Sequence, residues 1–321
     1  MDRIKVAIVG ATGLVGQTLL HILEENNEDF DLKLFASSKS DGIKKTVNDK
    51  SYIVHKLDTS SFKDVDYALF FTPSSISSIF IPIALENNVK VIDNSSFFRM
   101  KDDVKLIAYG CNENSITDTD VLISNPNCAI IQSIVPISRL AKYKIVKISY
   151  NTYQSVSGGG KKGIDDLLRC RKGKMPKFYE TDISFTCFPK IGDISLNGFS
   201  EEENKMIEES KKILQDDSIE VLATCVRVPV MFSHGVSVEL TLKEEFSLEE
   251  IINQFKSSQQ IIVCNNIIPS SVLSSKSDKI YVGRIRKIND KLLFYCVADN
   301  VRVGAATNAY NILKHMIKLG E

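Results

Sequence analysis

The 321-residue chain lacks a surplus of charge: 40 Lys and Arg are offset by 40 Asp and Glu, and no long run of either sign occurs. It therefore has no electrostatic footprint for nucleic acid or an anionic membrane. Apolar runs approaching the ~18 residues that mark a membrane span are also missing. So are paired cysteines. The seven, at 111, 128, 170, 187, 225, 264 and 296, are odd in number, scattered and without a C-x-x-C pair. That argues against a disulfide framework and a zinc site, and favours a reducing compartment; no metal is expected. Arg3 and Lys5 ahead of residues 6–20 loosely mimic a signal peptide, but Gly10, Gly13 and Gly16 break the apolar stretch and no small-residue cleavage site follows. The expectation is a cytoplasmic protein. Internal repeats and low-complexity tracts are absent.

What is present is ordinary globular composition, 43% hydrophobic and 25% charged, on a chain long enough to predict two domains. Residues 4–9 form a β-branched strand, followed at once by Gly10-Ala11-Thr12-Gly13-Leu14-Val15-Gly16 and a helical pattern. Glycines between a first strand and a first helix let the backbone approach a pyrophosphate at the helix N-terminus. The spacing is G-x-x-G-x-x-G, weaker alone than G-x-G-x-x-G and strengthened by its strand–turn–helix setting. Residues 10 and 12–16 are thus candidate cofactor contacts. The next strand, residues 32–36, ends in Ser37-Ser38-Lys39-Ser40. It lacks the acidic residue that usually holds the ribose 2′-hydroxyl of NAD. Hydroxyls and an ammonium suit a 2′-phosphate instead, so Ser37, Ser38 and Lys39 favour NADP; a plain solvated loop is the alternative, with Asp41 close by. Strands at 66–71, 89–93 and 121–124, with a helix at about 74–87, complete a strand–helix alternation. This is the pattern of a doubly wound, Rossmann-like parallel sheet, whose ligands bind beyond the carboxyl ends of the strands.

Ser124-Asn125-Pro126-Asn127-Cys128 reads as a strand end, a Pro-fixed turn and a cysteine in the first turn of a helix. Unpaired N–H groups and the helix dipole there favour a thiolate, the reactive form. Against that stands the general tendency of cysteine to be buried and inert. Lying just past a strand's carboxyl end, Cys128 is expected in the same crevice as the cofactor.

Beyond residue 142 the texture changes. Strand-prone runs at 145–156, 219–229, 236–243, 279–288 and 292–299 alternate with helical patterns at 163–171, 200–215 and 247–255. A mixed, largely antiparallel sheet with helices on one face is the economical reading, an α+β domain. The amphipathic segment 304–319 is expected to return to the first domain. We read residues 1–127, completed by 303–321, as the dinucleotide-binding domain, and 128–302 as the catalytic domain, to which the family resemblance given below adds dimerisation. The run 157–163 (SGGGKKG) lacks the Ser or Thr a Walker loop needs, which excludes an ATPase. It is either a backbone loop close to a ligand or a flexible connector. Of four histidines, His21, His55 and His315 read as structural or surface residues. His234 lies in a predicted loop between two strands, seven residues after Arg227. It suits a general base beside a thiol, and Arg227 suits a carboxylate.

Seven ordered motifs carry a resemblance over nearly the whole chain. They are residues 10–16, 93–100 (DNSSFFRM), 124–128, 152–158 (TYQSVSG), 223–229 (ATCVRVP), 282–286 (VGRIR) and 299–306 (DNVRVGAA). In them the chain resembles the aspartate-semialdehyde dehydrogenase family. The resemblance implies an NADP-dependent enzyme, a homodimer or homotetramer, acting on L-4-aspartyl phosphate, L-aspartate 4-semialdehyde and inorganic phosphate through a cysteine thioester. It implies Cys128 as nucleophile, His234 as acid/base and Gln154 as the residue positioning the thioacyl group. Arg227 would grip the α-carboxylate, Glu202 the α-ammonium, and Lys205, Arg99 and Asn127 the phosphate. Ser157, Gly158 and Asn300 join the cofactor contacts. The chain departs from the family pattern at Gly235-Val236, at Val303 and in its compact stretch 163–178. Two alternatives stand beside this reading: a related reductase of N-acetyl-glutamyl phosphate or an acyl-CoA, and a non-catalytic dinucleotide-binding paralogue.

Overall fold

The computed structural model describes residues 3–320. The chain divides into two compact units, Met1–Pro126 with Ala305–Glu321, and Asn127–Gly304.

The first unit begins with β1 (Lys5–Val9), α1 (Leu14–Glu25), β2 (Asp31–Ala36), β3 (Lys44–Val47), β4 (Lys50–Lys56), β5 (Tyr67–Phe70), α2 (Ser74–Glu86), β6 (Lys90–Asp93), β7 (Lys105–Leu106) and β8 (Leu122–Ser124). The strands form one sheet in the order β3-β4-β2-β1-β5-β6-β8-β7. All neighbours are parallel except β3 and β4. That pair is a hairpin the apolar pattern does not announce, turning on Asn48 and Asp49 at φ 48° and 60°, a left-handed pair suited to a two-residue hairpin. β1 shows why the sheet is buried on both faces. Val6 and Ile8 join one apolar cluster with α1 residues, whereas Ala7 and Val9 join another with Ile81 and Ala84 of α2. Strand alternation of period two puts successive side chains under opposite helical layers.

The second unit contains α3 (Cys128–Ser138), β9 (Ile145–Gln154), α4 (Gly160–Cys170), α5 (Glu201–Leu214), β10 (Glu220–Arg227), β11 (His234–Leu242), α6 (Leu248–Lys256), β12 (Ile261–Cys264), α7 (Ser271–Ser274), β13 (Ile280–Ile288) and β14 (Lys291–Ala298). Its sheet runs β10-β9-β11-β14-β13-β12. The three central pairings are antiparallel and the two outer ones parallel. β12 was not apparent from the sequence: four residues beside a polar turn carry too short an alternation to register. The glycine-rich stretch is no flexible connector; it forms a 3₁₀ turn (Val156–Gly159) that runs directly into α4.

After a π-type turn (Arg302–Ala306), α8 (Thr307–Gly320) returns to the first unit. Ala309, Ile312, Leu313, Met316 and Ile317 enter the cluster that holds α1. Spacings of three and four residues line them along one helical stripe.

Candidate active site

Sheet register builds the centre of the second unit. Gln154 ends β9 and is paired with Arg227, which ends the parallel strand β10. On the other side of β9, Gly235 pairs with Tyr153, so His234 begins β11 at the same end of the sheet. Three adjacent strands thus present Gln154, Arg227 and His234 together. His234 is the first residue of a strand rather than part of a loop, a correction to the expectation; the loop closes at Ser233. Ser233 sits at φ 71°, a backbone region sparsely populated by residues with a Cβ. Its N–H donates to Asn300 Oδ1 at 3.0 Å, which holds the turn.

All three side chains are buried: Gln154 is 1%, Arg227 6% and His234 0% exposed. Arg227 Nη1 donates to the Ser155 carbonyl at 2.6 Å. Gln154 Nε2 donates to Thr152 Oγ1 at 3.3 Å. His234 Nδ1 meets both the N–H and the hydroxyl of Ser155 at 3.0 Å, while Nε2 is buried with no hydrogen-bond partner among the described residues. Burial first, and then the Arg227 charge, push the imidazole well below its usual pKa. A Cβ on Gly158 would lie 2.8 Å from Arg227 Nη1 and 3.3 Å from His234 Nε2. The bare glycine therefore keeps the approach to both groups open.

Cys128 heads α3, half-buried and reduced. Asn127 caps the helix, its Oδ1 accepting from Ala129 N–H at 2.8 Å. The rest of Asn127 is tied to α5: Nδ2 donates to Glu202 Oε1 at 2.8 Å, and the backbone N–H donates to Glu209 Oε2 at 2.7 Å. Lys205 stands 3.7 Å from Glu202, one turn along α5. α5 is itself started by a capping box between Ser200 and Glu203. The asparagine that precedes the cysteine thus meets two buried carboxylates, one of which stands beside an ammonium. On the far flank, a Cβ on Gly304 would lie 2.7 Å from Cys128 Cβ.

Sequence reasoning missed Gln132. It lies one turn beyond Cys128, is fully buried, and donates from Nε2 to the His234 carbonyl at 2.8 Å. It joins the cysteine's helix to the histidine's strand. The available signal was a lone amide within an otherwise apolar run. Ser157 and Asn300, expected as cofactor contacts, are packed behind His234: Asn300 Oδ1 accepts from the Ser157 hydroxyl at 3.0 Å and the Ser155 hydroxyl at 3.2 Å.

In the first unit, Gly10 lies at φ 91°, and a Cβ there would run into the Phe71 carbonyl. α1 starts behind Gly13 with no side-chain cap, so its N-terminal N–H groups suit a pyrophosphate. Thr12 Oγ1 lies 3.1 Å from Ser40 Oγ, joining this turn to the loop carrying Ser37, Ser38 and Lys39. Asp41 is occupied by the Lys56 N–H at 2.9 Å. This cradle fits a nicotinamide dinucleotide. Arg99 also belongs to this unit, its Nη2 donating to the Asn94 carbonyl at 2.9 Å.

Family profiles described as semialdehyde dehydrogenase, NAD binding domain and semialdehyde dehydrogenase, dimerisation domain match residues 5–119 and 136–303. The chain is 40% identical over 335 residues to an aspartate-semialdehyde dehydrogenase of Aquifex aeolicus, covering 98% of each. It is 35% identical to one of Campylobacter jejuni, again covering 98% of each. Aspartate semialdehyde dehydrogenase II of Vibrio cholerae, solved in complex with ASA, superposes with a TM-score of 0.93 at 35% identity over 99% of both chains.

Proposed function

The chain belongs to the aspartate-semialdehyde dehydrogenase family, and on that premise we propose that it reduces L-4-aspartyl phosphate to L-aspartate 4-semialdehyde, reversibly, through a thioester on Cys128. It is an oxidoreductase with a nicotinamide-binding domain. What supports the site assignment is that Gln154, Arg227 and His234 end or begin adjacent strands at one end of the second unit's sheet, and that α3, headed by Cys128, is joined to His234 through Gln132.

Each residue has a role its surroundings suit. The start of α3 favours the Cys128 thiolate. Attack at the acyl carbon forms the C–S bond and expels phosphate, which splits one difficult exchange into two easier steps. The remaining N–H groups of Arg227 take the substrate α-carboxylate, and Glu202 takes the α-ammonium. Lys205, Arg99 and the second Nδ2 hydrogen of Asn127 take the phosphate. Gln154 holds the thioacyl group, and His234 occupies the acid/base position. The dinucleotide, when bound, supplies hydride to the thioester carbon. Residues 10 and 12–16 would hold its pyrophosphate; Ser157, Gly158 and Asn300 are the further cofactor contacts that the family resemblance implies. Ser37, Ser38 and Lys39 favour NADP over NAD, and the engagement of Asp41 elsewhere supports this. The protein then acts as a homodimer or homotetramer in the cytoplasm, in aspartate-derived synthesis of lysine through diaminopimelate, threonine and methionine. Among the described residues no helix is long and apolar enough to cross a membrane.

The decisive assay follows phosphate-dependent NADPH formation from aspartate semialdehyde, with N-acetyl-glutamate semialdehyde as the competing substrate. Cys128→Ala should abolish turnover and leave NADPH binding intact. Turnover in that variant would eliminate the thioester route, and preference for NADH would reverse the cofactor assignment.

A further inference from the structure

Asp93 ends β6 and is a carboxylate with no exposed surface. Burying such a group is costly unless donors surround it, and three donors do. Oδ1 accepts from the Ser95 N–H and from the Ser77 hydroxyl of α2, each at 3.0 Å, and Oδ2 accepts from the Ser95 hydroxyl at 2.7 Å. The chemistry proposed above gives this carboxylate no task. The Ser95 N–H and the Asn94 carbonyl are the two ends of one planar peptide group, and that carbonyl accepts from Arg99 Nη2 at 2.9 Å. A carboxylate, a single peptide and a guanidinium thus follow one another through two hydrogen bonds. We infer that Asp93 is a positioning residue for Arg99, acting through the peptide between Asn94 and Ser95.

Hydrogen bonds in a chain polarise one another in a low-dielectric interior. Negative charge at the Ser95 N–H leaves the carbonyl at the other end of the peptide a better acceptor for Arg99. The two charged groups feel each other: burial pushes the Asp93 pKa up, against the pull of its hydrogen bonds and of the Arg99 charge. The residue between them is also held from its other side. The Asn94 N–H donates to the Phe70 carbonyl at 2.9 Å, and Asn94 Oδ1 accepts from Asn125 Nδ2. Asn125 Oδ1 in turn accepts from Asn308 Nδ2. The Asn308 amide cannot be reversed, because its oxygen takes the Tyr109 N–H at 2.8 Å, a group that can only donate. The carbonyl offered to Arg99 is therefore fixed as well as polarised.

The consequence falls on anion binding. Arg99 is only 7% exposed, and its long side chain would lose rotamer freedom on meeting an anion if nothing held it beforehand. A guanidinium already ordered loses less, and binds more tightly for it. The inference rests on the assignment of Arg99 to phosphate made above. It adds that the affinity of this arginine for phosphate depends on a charge that never touches the ligand.

The test uses the full chain and reads the KM for inorganic phosphate in the semialdehyde-oxidising direction, beside the KM for aspartate semialdehyde. Asp93→Asn keeps the shape and an oxygen for the Ser95 N–H, and removes the charge. It is expected to raise the phosphate KM about 5- to 10-fold, the gap between a hydrogen bond to a charged group and one to a neutral group, and to leave the semialdehyde KM unchanged. A carboxylate that only builds the turn would lower the active fraction and hence kcat, with both KM values as in the wild type; that result overturns the inference. Ser95→Ala, a milder change, loses the hydroxyl contact to Oδ2 and keeps the N–H contact, so its phosphate KM should stay at the wild-type value. A large rise there would make the hydroxyl the route and also overturn it. Arg99→Lys separates the inference from the reading beneath it. If that change leaves the phosphate KM unaltered, the assignment of Arg99 fails and takes the inference with it. If it raises the KM, adding Asp93→Asn should raise it no further, because the two residues act as one unit. Independent, additive effects would overturn the inference alone.

Discussion

His234 and Arg227 show how burial sets chemistry one side chain at a time. The imidazole is fully buried and its pKa is depressed, so below about pH 6.5, the ordinary value, the unfolded chain binds a proton that the native state does not. That contribution to stability is intact above the unfolded pKa and is lost as pH falls, by at most ~1.4 kcal/mol per unit. The urea midpoint should therefore fall between pH 7.5 and pH 5.5 more steeply in the wild type than in His234→Gln. Equal slopes would remove the effect. Arg227 presents a planar fork of which one arm is fixed on Ser155. A lysine supplies one point charge and cannot hold that carbonyl and a carboxylate together. Arg227→Lys is expected to raise KM about 10- to 100-fold, the loss of one hydrogen bond to a charged group, with kcat changed much less. A loss confined to kcat would move Arg227 out of substrate binding.

At the level of elements, the start of α3 carries most of the site. Asn127 satisfies an otherwise orphaned N–H of α3 and anchors Glu202 on α5. Loss of the cap alone costs ~1 kcal/mol, with a range of about 0.5–2. Asn127→Ala should lose at least this, because Glu202 also loses a donor while it stays buried. Asn127→Asp is the sharper variant. It restores the cap acceptor but sets a carboxylate against Glu202 at hydrogen-bond distance, so it should be no more stable than the alanine form near pH 7. Thermal melts of the two variants give the comparison, and a wild-type melting temperature for Asn127→Asp would show that the link to α5 contributes nothing.

Across the whole molecule, the chain closes its first unit with its last helix. Leu313 is fully buried in the cluster that holds α1 and β1. Leu313→Ala should destabilise the first unit by about 2–5 kcal/mol, the cost of deleting a buried leucine and leaving a cavity. Melts with and without a nicotinamide dinucleotide would register the loss, because ligand binding to the native state opposes it. A cost under ~1 kcal/mol would mean that α8 collapses readily onto the gap.

Local pattern determined much of this protein. β1, the glycine turn, α1, the start of α3 at Cys128 and the return of α8 are legible because each depends on neighbours a few residues away: a β-branched run, a Pro-fixed turn, an apolar stripe. The motifs also carried the family, since order and spacing survive in one dimension. Tertiary structure alone decided the rest. The register of β9 against β10 and β11 brings Gln154, Arg227 and His234 to one end of a sheet, and register is set by pairing between strands far apart in sequence. The role of Gln132 was invisible for the same reason. A buried polar group declares its purpose only through the partner it meets, and here that partner lies 102 residues away.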